Sequence, residues 1–182
     1  GYSNTTVSQN SFVGQWSGYR NTIGFANSFT GYSAGFSNIT GSYNSFTGRQ
    51  AGYSNTTGSN NSFIGDRTGY TNSIGTDNVG IGAQALYLNS IGNANIALGT
   101  SSLYNTTGSN NLGFGAFAGS VNTSGNSNTY LGAFANASAS GFSSSTAIGA
   151  GAIVGQSNAL ILGGTGTSYV NVGIGTTTPV AS

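Results

Sequence analysis

The sequence contains no cysteine, no methionine and no histidine, and only one proline and one tryptophan. Lysine and glutamate are absent as well, and charge is confined to five of 182 residues: Arg20, Arg49, Arg67, Asp66 and Asp77. These absences exclude whole classes of function. General acid–base catalysis and metal binding draw on His, Cys, Lys and clustered carboxylates, so we assign no catalytic, cofactor-binding or metal-ligating residue and expect no enzyme and no cofactor. A net charge of +1 supplies no basic face for a nucleic-acid backbone or an anionic membrane. No apolar run approaches the ~18 residues of a membrane-spanning helix, so membrane insertion by this segment is not expected. No charged stretch followed by an apolar one opens the chain, so no signal peptide is visible. A start at Gly1 without Met suggests a processed chain or a piece of a longer one. The lack of cysteine fits an extracellular protein stabilised without disulfides, though it fixes no redox compartment.

What is present is glycine, at 32 residues, and together Gly, Ser, Thr and Asn make up more than half the chain. Such a composition suggests disorder. The aromatics argue otherwise: 10 Phe, 10 Tyr and one Trp fall at a fixed period that an unfolded chain has no reason to keep.

That period defines the organisation. Asn10-Ser11-Phe12-Val13-Gly14 returns 17 residues later from Asn27, then from Asn44 and Asn61. The frame continues at Asn78-Val79-Gly80-Ile81-Gly82 and Asn95-Ile96-Ala97-Leu98-Gly99. After one dropped residue it runs through Asn111-Leu112-Gly113-Phe114-Gly115, Asn128-Thr129-Tyr130-Leu131-Gly132 and Ser145-Thr146-Ala147-Ile148-Gly149. Steps of 14 and 12 residues then lead to Gly163 and Gly175. We read residues 1–182 as a single repeat domain, with 17-residue repeats over about 1–149 and shorter, irregular ones over 150–182. A second segment closes each repeat, as in Asn21-Thr22-Ile23-Gly24 and Asn72-Ser73-Ile74-Gly75.

Short runs of β-branched and aromatic residues between Asn and Gly read as strands and turns. Glycine every few residues, at ~1 kcal/mol each against alanine, rules against helix. Two strands per repeat of constant length predict an all-β parallel solenoid of about ten coils, each strand pairing with its copy one coil away. Coils ~4.8 Å apart give a rod of roughly 45–50 Å. Three or four large apolar side chains per coil make a thin core against the entropy of ordering so much glycine. We therefore expect a homo-oligomer.

Asn78-Val79-Gly80-Ile81-Gly82, Asn95-Ile96-Ala97-Leu98-Gly99 and Ser145-Thr146-Ala147-Ile148-Gly149 resemble the head repeats of YadA-like trimeric autotransporter adhesins. The stretch from Ala85-Leu86-Tyr87 through Tyr104 to Asn111 looks like longer repeats of phage tail fibres and bacterial surface proteins. Asn171 to Pro179 is similar to the segment preceding a self-cleaving chaperone domain in such fibres. The resemblance implies a left-handed β-roll, a homotrimer, and exposure outside the cell, on a cell surface or a virion. The usual head repeat is nearer 14 residues, a length matched here only by the step from Gly149 to Gly163.

Several columns carry the residual functional signals. Phe12, Phe29, Phe46 and Phe63 read as packing, with a sugar-binding strip as the other reading. Tyr2, Tyr19, Phe36, Tyr53, Tyr70, Tyr87 and Tyr104 form a second aromatic column, structural or in contact with a glycan or surface receptor. The Asn columns read as turn ladders. Thr5-Thr6, Thr56-Thr57 and Thr106-Thr107 raise an ice-binding face. Trp16 falls at a corner on the surface. Asn4, Asn38, Asn55 and Asn105 head N-glycosylation patterns that chance alone supplies in so Asn- and Thr-rich a chain. Gly173-Ile174-Gly175 lacks the strand–loop–helix context of a phosphate loop. Arg49 and Asp66 follow successive repeat glycines and are expected to pair one coil apart.

Direction is the sharpest expectation. The central position of the strand is Phe from Asn10 to Gly65, and mostly Gly or Ala from Asn78: Gly80, Ala97, Gly113, Ala147 and Gly173. By the resemblance, the central position faces neighbouring chains, and the core relies on Val13, Ile64, Ile23 and Ile74. A slip of one residue would instead turn Phe into the chain's own core. As to function, the sequence points to a structural and adhesive segment of an extracellular trimeric fibre, a cell-surface adhesin or filament. A phage or tail-like receptor-binding fibre is the alternative, and an ice-binding solenoid a third.

Overall fold

The computed structural model describes residues 2–3 and 9–164, which therefore leaves Thr5-Thr6, Gly173-Ile174-Gly175 and the stretch to Pro179 outside the described residues. The architecture is a parallel β-solenoid without helix in that range. Its strands are β1 (Ser11–Val13), β2 (Ser28–Thr30), β3 (Ser45–Thr47), β4 (Ser62–Ile64), β5 (Val79–Ile81), β6 (Ile96–Leu98), β7 (Leu112–Phe114), β8 (Thr129–Leu131), β9 (Asn136–Ala137), β10 (Thr146–Ile148), β11 (Ile153–Val154) and β12 (Leu160–Leu162). All but β9 and β11 form one ten-stranded sheet in chain order. Register follows the repeat: Phe12 lies beside Phe29, Phe29 beside Phe46, and Phe46 beside Phe63. The shortened steps are absorbed without loss of pairing, with Ile96 beside Leu112 and Thr146 beside Leu160.

The second segment of the repeat is not a strand, contrary to the sequence expectation. Residues 21–27 form bends, and only β9 and β11 pair in the other half of the coil. The reason is asparagine. Asn38 donates its side-chain amide both to the Gly41 carbonyl three residues on and to Oδ1 of Asn21 one coil back, at 2.8 and 2.7 Å. The same carbonyl accepts from Asn27, at 2.8 Å. A side chain that closes a local turn offers the backbone an alternative to the sheet. Ile23 and Ile74 then point outward.

Two buried asparagine ladders result. The first, Asn21–Asn38–Asn55–Asn72–Asn89, is bonded side chain to side chain. In the second, Oδ1 of each asparagine from Asn10 to Asn128 accepts the backbone N–H one coil on, as in Asn44 to Asn27 and Asn61 to Asn44. The first ladder breaks at the dropped residue. Gly108 follows Thr106 by two positions where Gly92 follows Asn89 by three, so the asparagine turn does not close there. Asn89 Oδ1 and Asn122 Nδ2, on either side of Thr106, are left buried without hydrogen-bond partners among the described residues.

The core corrects the direction expected from the resemblance. Phe29, Phe46 and Phe63 are fully buried by their own chain, with rings stacked 4.7 Å and 5.1 Å apart. Val13, Ile64, Ile23 and Ile74 are exposed. The one-residue slip is the arrangement adopted: the central strand position faces inward in every coil. In the coils of β5 and β6 it stays inward though small, because the bulk moves to the facing corner. A Cβ on Gly52 would lie 2.7 Å from Phe46 Cζ. Where Phe gives way to Gly80 and Ala97, the corner glycine gives way to Leu86 and Leu103, both fully buried. Those leucines keep the left-handed backbone of the glycines they replace, with φ of 54° and 47° against 58° at Gly52. The glycine after each strand is required for another reason. At Gly14, with φ of 124°, a Cβ would sit 2.6 Å from the Gly31 carbonyl oxygen, closer than stacked coils allow.

Candidate functional site

With the core filled from within, three surfaces remain. On the outer face of the sheet, side chains alternate with the inward ones. Over β1–β4 this face carries Ser11, Ser28, Ser45 and Ser62 beside Val13, Thr30, Thr47 and Ile64. From β5 onward it becomes apolar. Ile81, Ile96, Phe114, Leu131, Ile148 and Leu160 are all exposed, by 36 to 59%. Six strands, β5 to β8 with β10 and β12, lie side by side along this strip, spanning about 24 Å at the ordinary strand spacing.

The second surface is the aromatic ladder. Tyr2, Tyr19, Phe36, Tyr53, Tyr70, Tyr87 and Tyr104 stack face to face, with centroids 5.0–5.3 Å apart and planes within 10°. Both faces of each interior ring are covered by its neighbours. The ladder thus presents ring edges and hydroxyls outward, as a structural stack does. Burial, with the neighbouring Tyr53 and Tyr87, raises the pKa of Tyr70, while Arg67 opposes the shift. Arg20 lies over Phe36, its guanidinium carbon 5.4 Å from the ring centroid.

The third surface is the corner after each strand. Trp16 is exposed there, as expected, and tilts against Tyr32 at 5.4 Å. Between this pair and the ladder runs a groove of about 300 Å³ lined by Trp16, Tyr19, Tyr32, Phe36 and Tyr53 with Gln50. A larger one, about 670 Å³, lies where the ladder ends, against Tyr104, Phe117, Asn105 and Ser120.

Little chemistry is available on these surfaces. Asp66 accepts from Arg49 at 2.8 Å, one coil apart as the spacing predicts, and Arg67 donates to Gln50 at 3.2 Å. No cluster of His, Cys, Asp or Glu is placed to hold a metal among the described residues. Asn38 and Asn55 are enclosed in their ladder, which removes them as glycosylation acceptors in the folded chain. Thr56 and Thr107 donate their hydroxyls to carbonyls one coil on, at 2.9 Å each, so these protons run along the rod rather than out to solvent. Among the described residues Tyr130 is the one deeply buried ionisable group. Burial drives its pKa far above the usual 10.0.

No known protein family, no curated protein and no solved structure matches the chain. The solenoid itself was legible in the repeat. The apolar strip is not legible there, because the resemblance turns its residues inward.

Proposed function

We propose that the chain is a structural and adhesive segment of an extracellular trimeric fibre, held to two further copies of itself through the outer face of the sheet from β5 onward. The apolar strip carries this reading. Contiguous large aliphatic side chains on a flat sheet face are rare on a monomer's surface and mark an interaction face. The expected assembly contact therefore moves from the Phe column to Ile81, Leu98, Phe114, Leu131, Ile148 and Leu162. The resemblance to trimeric adhesin heads supports three chains. The near absence of charge and of reactive side chains supports reach and attachment over chemistry. Light scattering of the folded protein tests the reading: it predicts three times the 18.1 kDa chain mass, and a stable monomer would refute it.

A further inference from the structure

The aromatic ladder runs unbroken from Tyr2 to Tyr104 and stops at the next coil, where Ser120 takes the column position. Tyr104 is stacked on Tyr87 on one side, at 5.0 Å and 5°. On its other side no ring stacks among the described residues, and the groove of about 670 Å³ opens against it. This end of the ladder differs from its interior in kind. An interior ring offers only an edge, whereas Tyr104 offers a ring face.

The surroundings of that face are built rather than vacant by accident. In the preceding coils the residue after the ladder ring donates its backbone N–H one coil on, as Leu88 does to the Tyr104 carbonyl at 2.9 Å. At the ladder's end the Asn105 side-chain amide takes over, donating to the Ser120 carbonyl at 2.8 Å. Asn136 in turn donates to Ser120 Oγ at 3.0 Å. Ser120 is thus held from both sides and leaves the ring face clear. Phe117, exposed and stacked on Phe134 at 5.3 Å, forms the second apolar wall. Gln84, Ser101 and Asn105 add amide and hydroxyl groups around the opening, and no charged residue lines it.

From this we infer that the end of the ladder, at Tyr104, Phe117 and Ser120, is a binding site for a neutral saccharide. A pyranose has an apolar face of C–H groups that packs on the electron-rich face of an aromatic ring. Its rim of hydroxyls both donates and accepts, and so matches neutral amides and hydroxyls rather than charges. A phosphorylated or acidic ligand would require a cation that this groove lacks. Concave sites with aromatic walls and a few convergent polar groups are where small ligands bind. The inference deepens the adhesive part of the proposed function by naming what this segment would attach to. It rests on that reading for its biological sense but not for its geometry.

Saturation-transfer NMR with cellotriose, chitotriose and maltotriose, and with 3′-sialyllactose as the acidic comparison, tests the site. At least one neutral trisaccharide should receive saturation from the protein, and more than the sialylated one does. The Ser120→Tyr variant places a ring where the column would continue and covers the Tyr104 face. It should bind that sugar at least tenfold more weakly while keeping the far-ultraviolet circular dichroism of the parent. Absence of saturation on all three neutral sugars would overturn the inference, as would undiminished binding by a folded Ser120→Tyr variant. Should that variant not fold, Tyr104→Ala, which removes the face itself, takes its place with the same expectation. Light scattering on the same samples reports assembly independently. A monomer that still binds sugar would remove the trimer and leave the site, and a trimer that binds none would do the reverse.

Discussion

The exchange of bulk between strand and corner makes a quantitative prediction at Phe46 and Gly52. Phe46 is fully buried, and truncating such a side chain to alanine costs about 3–5 kcal/mol. Placing leucine at Gly52 alone drives its Cβ to 2.7 Å from Phe46 Cζ, an overpacking cost of about 1–3 kcal/mol. The left-handed backbone there adds about 1–2 kcal/mol for any L side chain. Summed as independent changes, the two substitutions would remove roughly 5–10 kcal/mol. Made together, Phe46→Ala and Gly52→Leu recreate the Ala97 and Leu103 arrangement already present in the chain. The cavity is then filled and the clash is gone. What remains is the left-handed leucine and two lost ring stacks, about 0.5–1.5 kcal/mol each. The double variant should be more stable than the sum of the single effects by about 3 kcal/mol or more, at the top of the range for residues in contact. Urea denaturation followed by circular dichroism, at one fixed protein concentration so that any association contributes equally, measures the cycle. Effects that add to within about 0.5 kcal/mol would refute the claim that these positions fill one shared space.

Further expectations follow from the ladders and the isolated buried groups. Asn55→Ala removes the donor to Asn38 Oδ1 and the acceptor for Asn72 Nδ2, and should cost about 1–3 kcal/mol for each buried group left unpaired, read from the shift of the urea midpoint. Tyr130 has no hydrogen-bond partner for its hydroxyl among the described residues, so Tyr130→Phe should leave stability unchanged or raise it. Because burial raises the folded pKa of Tyr130 above the ordinary 10.0, the unfolded chain loses that proton first. Its contribution is fully present below about pH 10 and falls as pH rises above it, and denaturation profiles of Tyr130→Phe should show a shallower alkaline loss. Arg49→Gln, at an ion pair with both side chains about half exposed, should change stability by no more than ~1 kcal/mol by the same assay.

How far the sequence led can be judged position by position. The 17-residue recurrence of Asn-Ser-Phe gave the register directly, because parallel stacking puts like residues side by side and nothing in the coil disturbs that count. The Arg49–Asp66 pair followed from the same count. The asparagine columns were legible as turns, but Thr22-Ile23 and its relatives read as a second strand. Only the spacing of Asn to Gly, three residues in each full repeat, signalled that a side chain would close the bend instead. The direction of the central strand position is ambiguous in the sequence for a physical reason. Val79-Gly80-Ile81 is apolar on both flanks, and a single strand cannot reveal which face is inward when the small residue is the buried one. The missing signal lay six residues on, where the corner glycines give way to Leu86 and Leu103 in the very coils where Phe becomes Gly80 and Ala97. The end of the aromatic ladder was visible as the absence of an aromatic at Ser120, yet its meaning depends on whether rings stack face to face, which sequence spacing does not specify.

The core is complete within one chain, and in the proposed fibre the outer face of the sheet from β5 onward joins the chain to its copies. Sedimentation equilibrium of a Leu131→Glu/Ile148→Glu double variant beside the parent tests this directly. Both positions are exposed in the single chain, so charge there should leave the coil intact while burdening any interface formed on that face. The parent is expected to sediment as three chains and the variant as one chain, with the same far-ultraviolet circular dichroism. A variant that remains trimeric would contradict it.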